Sequence, residues 1–399
     1  MKPFSFVHAA DVHLGYAQYN LDVRRKDFNN AFAELVDKTV ALKPDFMILA
    51  GDIFEQARPT NSTLEEAIRN LRKLKDACIP VLAVDGSHDS APNQITSTIL
   101  NPLDSAGLIY YLPRHEGACW RNENCYVYGI PNFRTARKTE EELPVFLEKC
   151  KPTPDPSLFN VLVFHMTLDI PAIKPPKMEA EAHPEMLPEG FNYYAGGHIH
   201  KPYKSRFKNG ILAYSGSTET ASYREAKTAK GFYHVTVNKS GTPKIDRVIL
   251  ELPRKFVILK HTFTNLTPAQ ITEAVVKSVQ ENDVPDAVIV PVIRGVLPAE
   301  VGRGEIDLAK IRQASKAALL VHPVVRLTET EISDEIIRSI FGAEMKDMKT
   351  KSYEYFTQIF SESYNRTESE KIARLAYDLL NPLVSKHEKQ VKDKLEEFL

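Results

Sequence analysis

Apolar residues in the amino-terminal part of the chain alternate between short unbroken runs and longer stretches with helical spacing. Phe4, Phe6 and Val7 open the first run, which breaks at Ala9-Ala10 into Asp11-Val12-His13. From Asp27 to Leu42 the apolar positions Phe28, Ala31, Phe32, Leu35, Val36 and Val40 recur every third or fourth residue, which predicts a helix closed by Pro44. Phe46-Met47-Ile48-Leu49-Ala50 is a wholly apolar strand that delivers Gly51-Asp52. A second helix, roughly Thr63 to Ala77, leads into Val81–Val84, which ends at Asp85-Gly86-Ser87-His88-Asp89. Strand, helix, strand, helix, strand, with polar residues at each strand's carboxyl end, is how parallel sheets of α/β proteins are built.

Further along, a helix is expected over 95–106, a strand over Cys125–Ile130 and a surface helix and loop over 134–157. The strand Val161–Phe164 ends in His165, a proline-bearing loop follows over 170–190, and Phe191–Ala195 runs into Gly196-Gly197-His198-Ile199-His200. Ile211–Tyr214, Gly231–Val237 and Ile245–Leu252 read as antiparallel strands, so the fold class expected is α/β, a two-layered β-sandwich flanked by helices. Near Pro253 the pattern changes to a small α+β module: strand 256–263, a helix from Thr267-Pro268 to about 280, strand 287–293, helix 306–318 and strand 319–327. Beyond Glu329 the chain reads as helix (333–341, 353–364 and 367–380), the last with a Thr367/Glu370 capping box. The domains expected are therefore 1–252, 253–328 and a helical segment 329–399.

A formal net charge of -1 over 399 residues gives no bulk nucleic-acid signature, so any such binding must use a local patch. Cys78, Cys119, Cys125 and Cys150 form no C-x-x-C pair and read as reduced, mostly buried thiols. The amino terminus enters its strand without a signal-peptide pattern, and no apolar run approaches the ~20 residues that span a bilayer. The expectation is a soluble intracellular protein, cytoplasmic or nucleoid-associated, that makes no membrane contact.

Metal-type ligands stand at five strand ends: Asp11/His13, Asp52, the 86–89 turn, His165 and His198/His200. Asp11 and His13, two residues apart, would point to one side of an extended backbone. About seven ligands of mixed oxygen and imidazole exceed the needs of one ion and suit two manganese-, iron- or zinc-like ions, with Asp52 as the natural bridge. A lone D-x-H or H-x-H is usually structural; their occurrence together, each at the end of an apolar strand, reverses that. His8 reads equally as a support for the metal loop or as a packed strand histidine, while His115, His183, His234, His261, His322 and His387 read as surface or core residues. Arg24, Arg25, Arg58, Lys201, Lys204 and Arg206 follow the metal motifs and are either phosphate contacts or solvated charge. Leu64, Ala67, Ile68, Leu71 and Leu74 make the kind of helical stripe that is most often core.

The series D-x-H, G-D, G-x-H-D, H and G-H-x-H is similar to the pattern of calcineurin-like metallophosphoesterases. The segments VHAADVHLGYAQYNLD, LAGDIFEQARPT, YYAGGHIHKPY and YSGSTE resemble one branch, the SbcD-like DNA double-strand-break repair nucleases (the meiotic-recombination nuclease family). The resemblance spans residues 1 to about 250 and, by architecture, the module after them. It implies that Asp11, His13, Asp52, His165, His198 and His200 hold two Mn²⁺ ions, and that His88 is the catalytic acid protonating the 3′ leaving oxygen. It further implies a 3′-to-5′ exonuclease on duplex ends and an endonuclease on single strands, working as a homodimer through the helices near 63–77 and 95–106. The small module would cap the active site and grip DNA, and the C-terminal helices would bind the coiled coil of an SMC-like (SbcC-like) ATPase. Two positions depart from the pattern: Ser87 replaces the usual asparagine ligand, and Glu55 stands where a histidine is frequent. Alternative readings are a metal-impaired scaffold that tethers DNA ends and a phosphodiesterase of the same superfamily acting on small substrates. The retained His88 speaks against the first, and the extra module and helical tail against the second.

Overall fold

The computed structural model describes residues 1–90, 97–174, 179–264, 266–296 and 305–328, with 357, 370–372 and 374–375 besides. Apart from those last few positions, the helices expected at 333–341, 353–364 and 367–380 lie outside the described residues, as does the opening of the one at 95–106.

Four parallel strands form one side of the first six-stranded sheet: β1 (Phe4–Ala9), β2 (Phe46–Ala50), β3 (Val81–Val84) and β4 (Tyr110–Tyr111). Helices α1 (Asp22–Leu42), α2 (Asn61–Asp76) and the short α3 (Leu100–Ser105) connect them. The second sheet runs β5 (Cys119–Arg121), β6 (Cys125–Gly129), β7 (Phe159–His165), β8 (Tyr193–Gly197), β10 (Gly210–Tyr214) and, at its edge, β9 (Tyr203–Phe207), with α4 (Ala136–Cys150) between β6 and β7. Strand β10 lies parallel to β8 and antiparallel only to β9, where the sequence had suggested antiparallel pairing alone. The chain then returns to the first sheet as β11 (Gly231–Val237), antiparallel to β1, and β12 (Pro243–Ile249) at the edge.

The wholly apolar run of β2 follows from burial of both of its faces. Met47 and Leu49 share a core with Phe32 and Leu35 of α1 and Leu71 of α2, while Phe46, Ile48 and Ala50 meet Val127, Val161, Val163 and Ala195 of the second sheet. A third core, with Tyr128, Leu162, Phe164 and Tyr214, packs Leu143 of α4 on the far side of that sheet. The layers are thus helix, sheet, sheet, helix, and the strand ends gather where the two sheets abut. The stripe Leu64, Ala67, Ile68, Leu71 and Leu74 of α2 packs into the first core.

A smaller sheet holds β13 (Phe256–Thr264), β14 (Val288–Val296), β15 (Leu320–Val321) and β16 (Val324–Thr328), accompanied by α5 (Pro268–Glu281) and α6 (Leu308–Arg312). The single strand expected over 319–327 is two short ones, both parallel to β14 and interrupted at His322-Pro323, where proline offers no N–H to the ladder. The helix expected over 306–318 stops at Arg312. The Asp283 carboxylate instead accepts the N–H groups of Lys316, Ala317 and Ala318 and the Ser315 hydroxyl, holding that stretch as a turn. Among the described residues the chain divides into two compact units, one of 1–259, 279–290 and 312–322, the other of 260–278, 291–311 and 323–328.

Among the described residues no helix is long and apolar enough to cross a membrane. All four cysteines are free; only Cys125 is buried, Cys119 and Cys150 are half-buried and Cys78 is exposed, so the thiols are less buried than expected.

Candidate metal centre

Asp11 and His13 come together by a different route from strand alternation. β1 ends at Ala9, and both residues turn the backbone into the left-handed region, at φ 54° and 52°. Asp52 and His198 do the same at φ 49° and 85°. Side chains rarely adopt this conformation, which costs roughly 1–2 kcal/mol per residue and persists only where the surroundings impose it. Here the two loops are pinned together: Val12 N–H and His13 N–H both donate to Asp52 O, at 2.9 and 3.0 Å, and Asp11 N–H donates to Gly51 O at 3.2 Å. The result is that three groups of side chains converge: Asp11, His13 and His200; His13, Asp52 and His88; and Asp52, His165 and His198.

At one end of the centre, the outer nitrogens of two histidines are committed. His13 Nδ1 lies 2.9 Å from Glu55 Oε2, and His200 Nδ1 lies 2.9 Å from Glu225 Oε1. An ionised carboxylate can only accept, so each Nδ1 carries a hydrogen and each ring turns its Nε2 inward. Those two Nε2 atoms face each other at 3.2 Å. Two lone pairs at that distance repel unless a proton or a cation lies with them. Glu225 is itself held by the buried Lys230 at 2.7 Å, and Lys230 also donates to Ser217. Burial works against the Glu225 charge, but His200 and Lys230 outweigh it and push its pKa down to about 2.

At the other end, His165 Nδ1–H donates to Ala50 O at 2.8 Å, which turns Nε2 toward Asp52 Oδ2 at 3.1 Å without a hydrogen-bonding geometry. Burial disfavours a charge on this ring, yet the Asp52 carboxylate prevails and pushes its pKa up to about 10. His198 donates its main-chain N–H to Asp11 Oδ1 at 2.9 Å, and its Nε2 lies 3.6 Å from Glu181 Oε2. Burial, then the neighbouring His165, push the His198 pKa down to about 4. Asp11 Oδ2 is buried with no hydrogen-bond partner among the described residues. The backbone must come very close here: a Cβ on Gly86 would fall on Asp52 and one on Gly197 on Ala50 O. Oxygen and imidazole ligand atoms gathered around one buried carboxylate, with Asp11 Oδ2 among them lacking any partner in the described residues, fit divalent cations.

His88 lies on the exposed rim. Its main-chain N–H donates to Asp52 Oδ1 at 2.8 Å, and its Nδ1–H donates to Glu55 O at 3.0 Å, which leaves Nε2 unencumbered. Its neighbour Ser87 donates its hydroxyl to Asp52 Oδ2 at 3.2 Å. Asp89, at the end of the same turn, points inward and accepts from Gly86, Ile53 and Phe54 N–H; it braces the loops, and burial pushes its pKa up to about 7.

The structure overturns the reading of Arg24 and decides between the two readings of His8. Arg24 is wholly buried on α1, donating to Gln18, Asp27, Glu219 and Thr220 O, so it is out of reach of a phosphate. His8 is a packed strand histidine bonded to Tyr193 Oη, and burial pushes its pKa down to about 3. Arg25 pairs with Asp22 on α1, whereas Arg58, Lys201, Lys204 and Arg206 are exposed. Glu181, Glu225 and Lys230 escaped the sequence reading altogether. The one available signal was chemical: a neutral histidine ligand needs an acceptor behind its other nitrogen, but spacing does not say which carboxylate supplies it.

Residues 4–202 match the family described as calcineurin-like phosphoesterases. The chain is 34% identical over 249 residues to the DNA double-strand break repair protein Mre11 of Archaeoglobus fulgidus, covering 60% of this chain and 55% of that one. The Mre11 of Methanococcus maripaludis is 34% identical over 239 residues, covering 57% and 62%. That of Methanocaldococcus jannaschii is 33% identical over 267 residues, covering 63% and 68%. The chain thus spans little more than half the length of the first of these relatives. It belongs to the calcineurin-like metallophosphoesterases and, among them, to the family of the DNA double-strand break repair protein Mre11.

Proposed function

We propose that the chain is a Mn²⁺-dependent DNA nuclease that hydrolyses phosphodiesters at double-strand breaks, as a 3′-to-5′ exonuclease on duplex ends and an endonuclease on single strands. The observation that carries this reading is the convergence of metal-type ligand atoms around the buried Asp52: Asp11, His13 and His200 on one side, His165 and His198 on the other. Asp11, His13, Asp52 and His200 would hold one ion, and Asp52, His165 and His198 a second. A pair of divalent ions held there would supply Lewis acidity, to offset the charge of the phosphodiester and to lower the pKa of an attacking water.

The chain's own side chains do the rest. Glu55, Glu225 and Ala50 O fix the histidine rings with Nε2 inward. His88, held by its Nδ1–H on Glu55 O, acts as the imidazolium: its Nε2–H proton goes to the 3′ oxygen as the P–O bond breaks, leaving the neutral ring. The exposed Arg58, Lys201, Lys204 and Arg206 offer phosphate contacts that position DNA without reading its sequence. Residues 253–328 add backbone and minor-groove contacts, and 329–399 engage the coiled coil of an SMC-like ATPase, with two copies of the chain in the assembly.

Ser87 motivates a second reading, because its hydroxyl is engaged by Asp52 and supplies no amide oxygen. In that reading the chain tethers DNA ends without cutting them. Cleavage of end-labelled duplex and of single-stranded DNA by the purified chain, in Mn²⁺, Mg²⁺ and chelator, separates the two. Mn²⁺-dependent degradation supports the nuclease. Silence in the native chain with activity in Ser87→Asn overturns it in favour of the tether. A His88→Asn variant should cleave about 10²- to 10⁴-fold more slowly while binding Mn²⁺ normally.

A further inference from the structure

Glu55 stands three residues after Asp52, and its two kinds of oxygen reach two different histidines. Its carboxylate Oε2 takes the Nδ1–H of His13 at 2.9 Å and lies 3.5 Å from His88 Nδ1. Its main-chain carbonyl takes the Nδ1–H of His88 at 3.0 Å. The His13 and His88 rings stand edge to face, with centroids 4.9 Å apart. Glu55 is also tied to the loop that carries His13, since its N–H donates to Leu14 O at 3.0 Å and Leu14 N–H donates to Ile53 O at 2.9 Å. The side chain is only partly exposed, at 19%, so its charge acts close to both rings.

We propose that Glu55 is a positioning residue that sets His13 and His88 as one unit, holding the Nε2 of His13 inward while seating His88 beside it. The inference rests on the reading of His13 as a ligand and His88 as the proton donor. A carboxylate behind a neutral imidazole fixes its tautomer and strengthens it as a donor to a metal, and loss of such a partner typically weakens metal binding about 10- to 100-fold. Glutamine at the same position keeps the size and one acceptor oxygen but loses the charge. A packing role would treat the two residues alike.

The test uses the full chain in three forms: native, Glu55→Gln and Glu55→Ala. Mn²⁺ titration by calorimetry should show the affinity of one of two sites falling about 10- to 100-fold in Glu55→Gln and further in Glu55→Ala, with the other site little changed. At saturating Mn²⁺, kcat should fall with KM for DNA unchanged, and adding His88→Asn to Glu55→Gln should cost little beyond His88→Asn alone. In the metal-free protein, ¹⁵N NMR of His13 should report hydrogen on Nδ1 in the native chain and a tautomer mixture in Glu55→Ala. Unchanged Mn²⁺ affinity and unchanged tautomer in the variants overturn the proposal. A native chain that binds Mn²⁺ but cuts no DNA refutes the nuclease and leaves the affinity and tautomer readouts to decide Glu55. One that binds no Mn²⁺ refutes the metal reading, and the tautomer readout still decides whether Glu55 holds His13.

Discussion

His13 and His200 turn their Nε2 atoms toward each other at 3.2 Å although they lie 187 residues apart in sequence. Each Nδ1 is bonded to a carboxylate, so neither ring can relieve the contact by switching tautomer. Only a shared proton or a bound cation makes this contact favourable, and the fold holds it in place because β1 and β8 deliver the two loops to the same spot. Mn²⁺ should therefore stabilise the protein, by about 2.7 kcal/mol for one site at a hundred times its Kd, which raises Tm by several degrees in a chain of this size. A thermal-unfolding series in rising Mn²⁺ checks this, with His200→Ala expected to abolish most of the rise. A flat native curve would refute a metal centre here.

The pairing of His165 with Asp52 makes metal binding depend on pH. With a pKa near 10, His165 keeps a proton at neutral pH that a metal must displace, because the ion and the proton seek the same Nε2 lone pair. Below pH 10 the apparent affinity should climb by up to tenfold per pH unit, and calorimetry in buffers of different ionisation enthalpy should register about one proton released per ion bound at that end. The metal-free protein should show the opposite slope. A raised folded-state pKa gives stabilisation that is full below the unfolded value of 6.5 and is lost as the pH rises through about 10. Affinity that ignored pH between 6 and 9 would contradict the displaced proton.

Strand ends, and hence most of the site, are readable from sequence because a buried parallel strand is an unbroken apolar run and the residue after it is polar. Asp52 after Phe46–Ala50 and His165 at the end of Val161–Phe164 are found that way. The path by which Asp11 and His13 converge is not readable, since left-handed φ at both is imposed by hydrogen bonds to Gly51 and Asp52, some forty residues on. Arg24 was unreadable for the same reason: what buries it is Glu219 and Thr220, which only the return of the chain to the first sheet brings near. Glu225 is invisible from sequence because its partner His200 lies 25 residues earlier, before β9, β10 and the loop that follows them.

Gly197 illustrates how little slack the site has. A Cβ there would collide with the carbonyl oxygen of Ala50 and crowd the His165 ring, and both neighbours are fixed: Ala50 O accepts from His165 Nδ1. No flexible side-chain end can yield, so β8 itself must move away from β2. Gly197→Ala should destabilise the chain by roughly 1–3 kcal/mol and weaken metal binding together, since the same shift displaces His198. Urea unfolding with parallel Mn²⁺ titration measures both; native-like values in each would mean the two sheets separate more easily than this packing implies.

Glu225 and Lys230 form a buried charge pair behind His200, and their contribution should appear in acid. The folded-state pKa of Glu225 is held near 2 against an ordinary 4.5, so its stabilisation is fully present above pH 4.5 and is lost as the pH falls toward 2. The shift corresponds to about 3 kcal/mol at most, part of it offset by the burial of Lys230, whose own pKa burial lowers. Glu225→Gln should flatten the acid limb of a stability–pH curve measured by urea unfolding of the metal-free protein. It should also cost several kcal/mol at neutral pH, because Lys230 is then buried without its counter-charge. Lys230→Met should be milder at neutral pH, since His200 still holds the carboxylate. If Glu225→Gln and the native chain lost stability in parallel between pH 5 and 3, the carboxylate would not be the group that carries the acid sensitivity, and its hold on His200 would be weaker than the 2.9 Å contact implies.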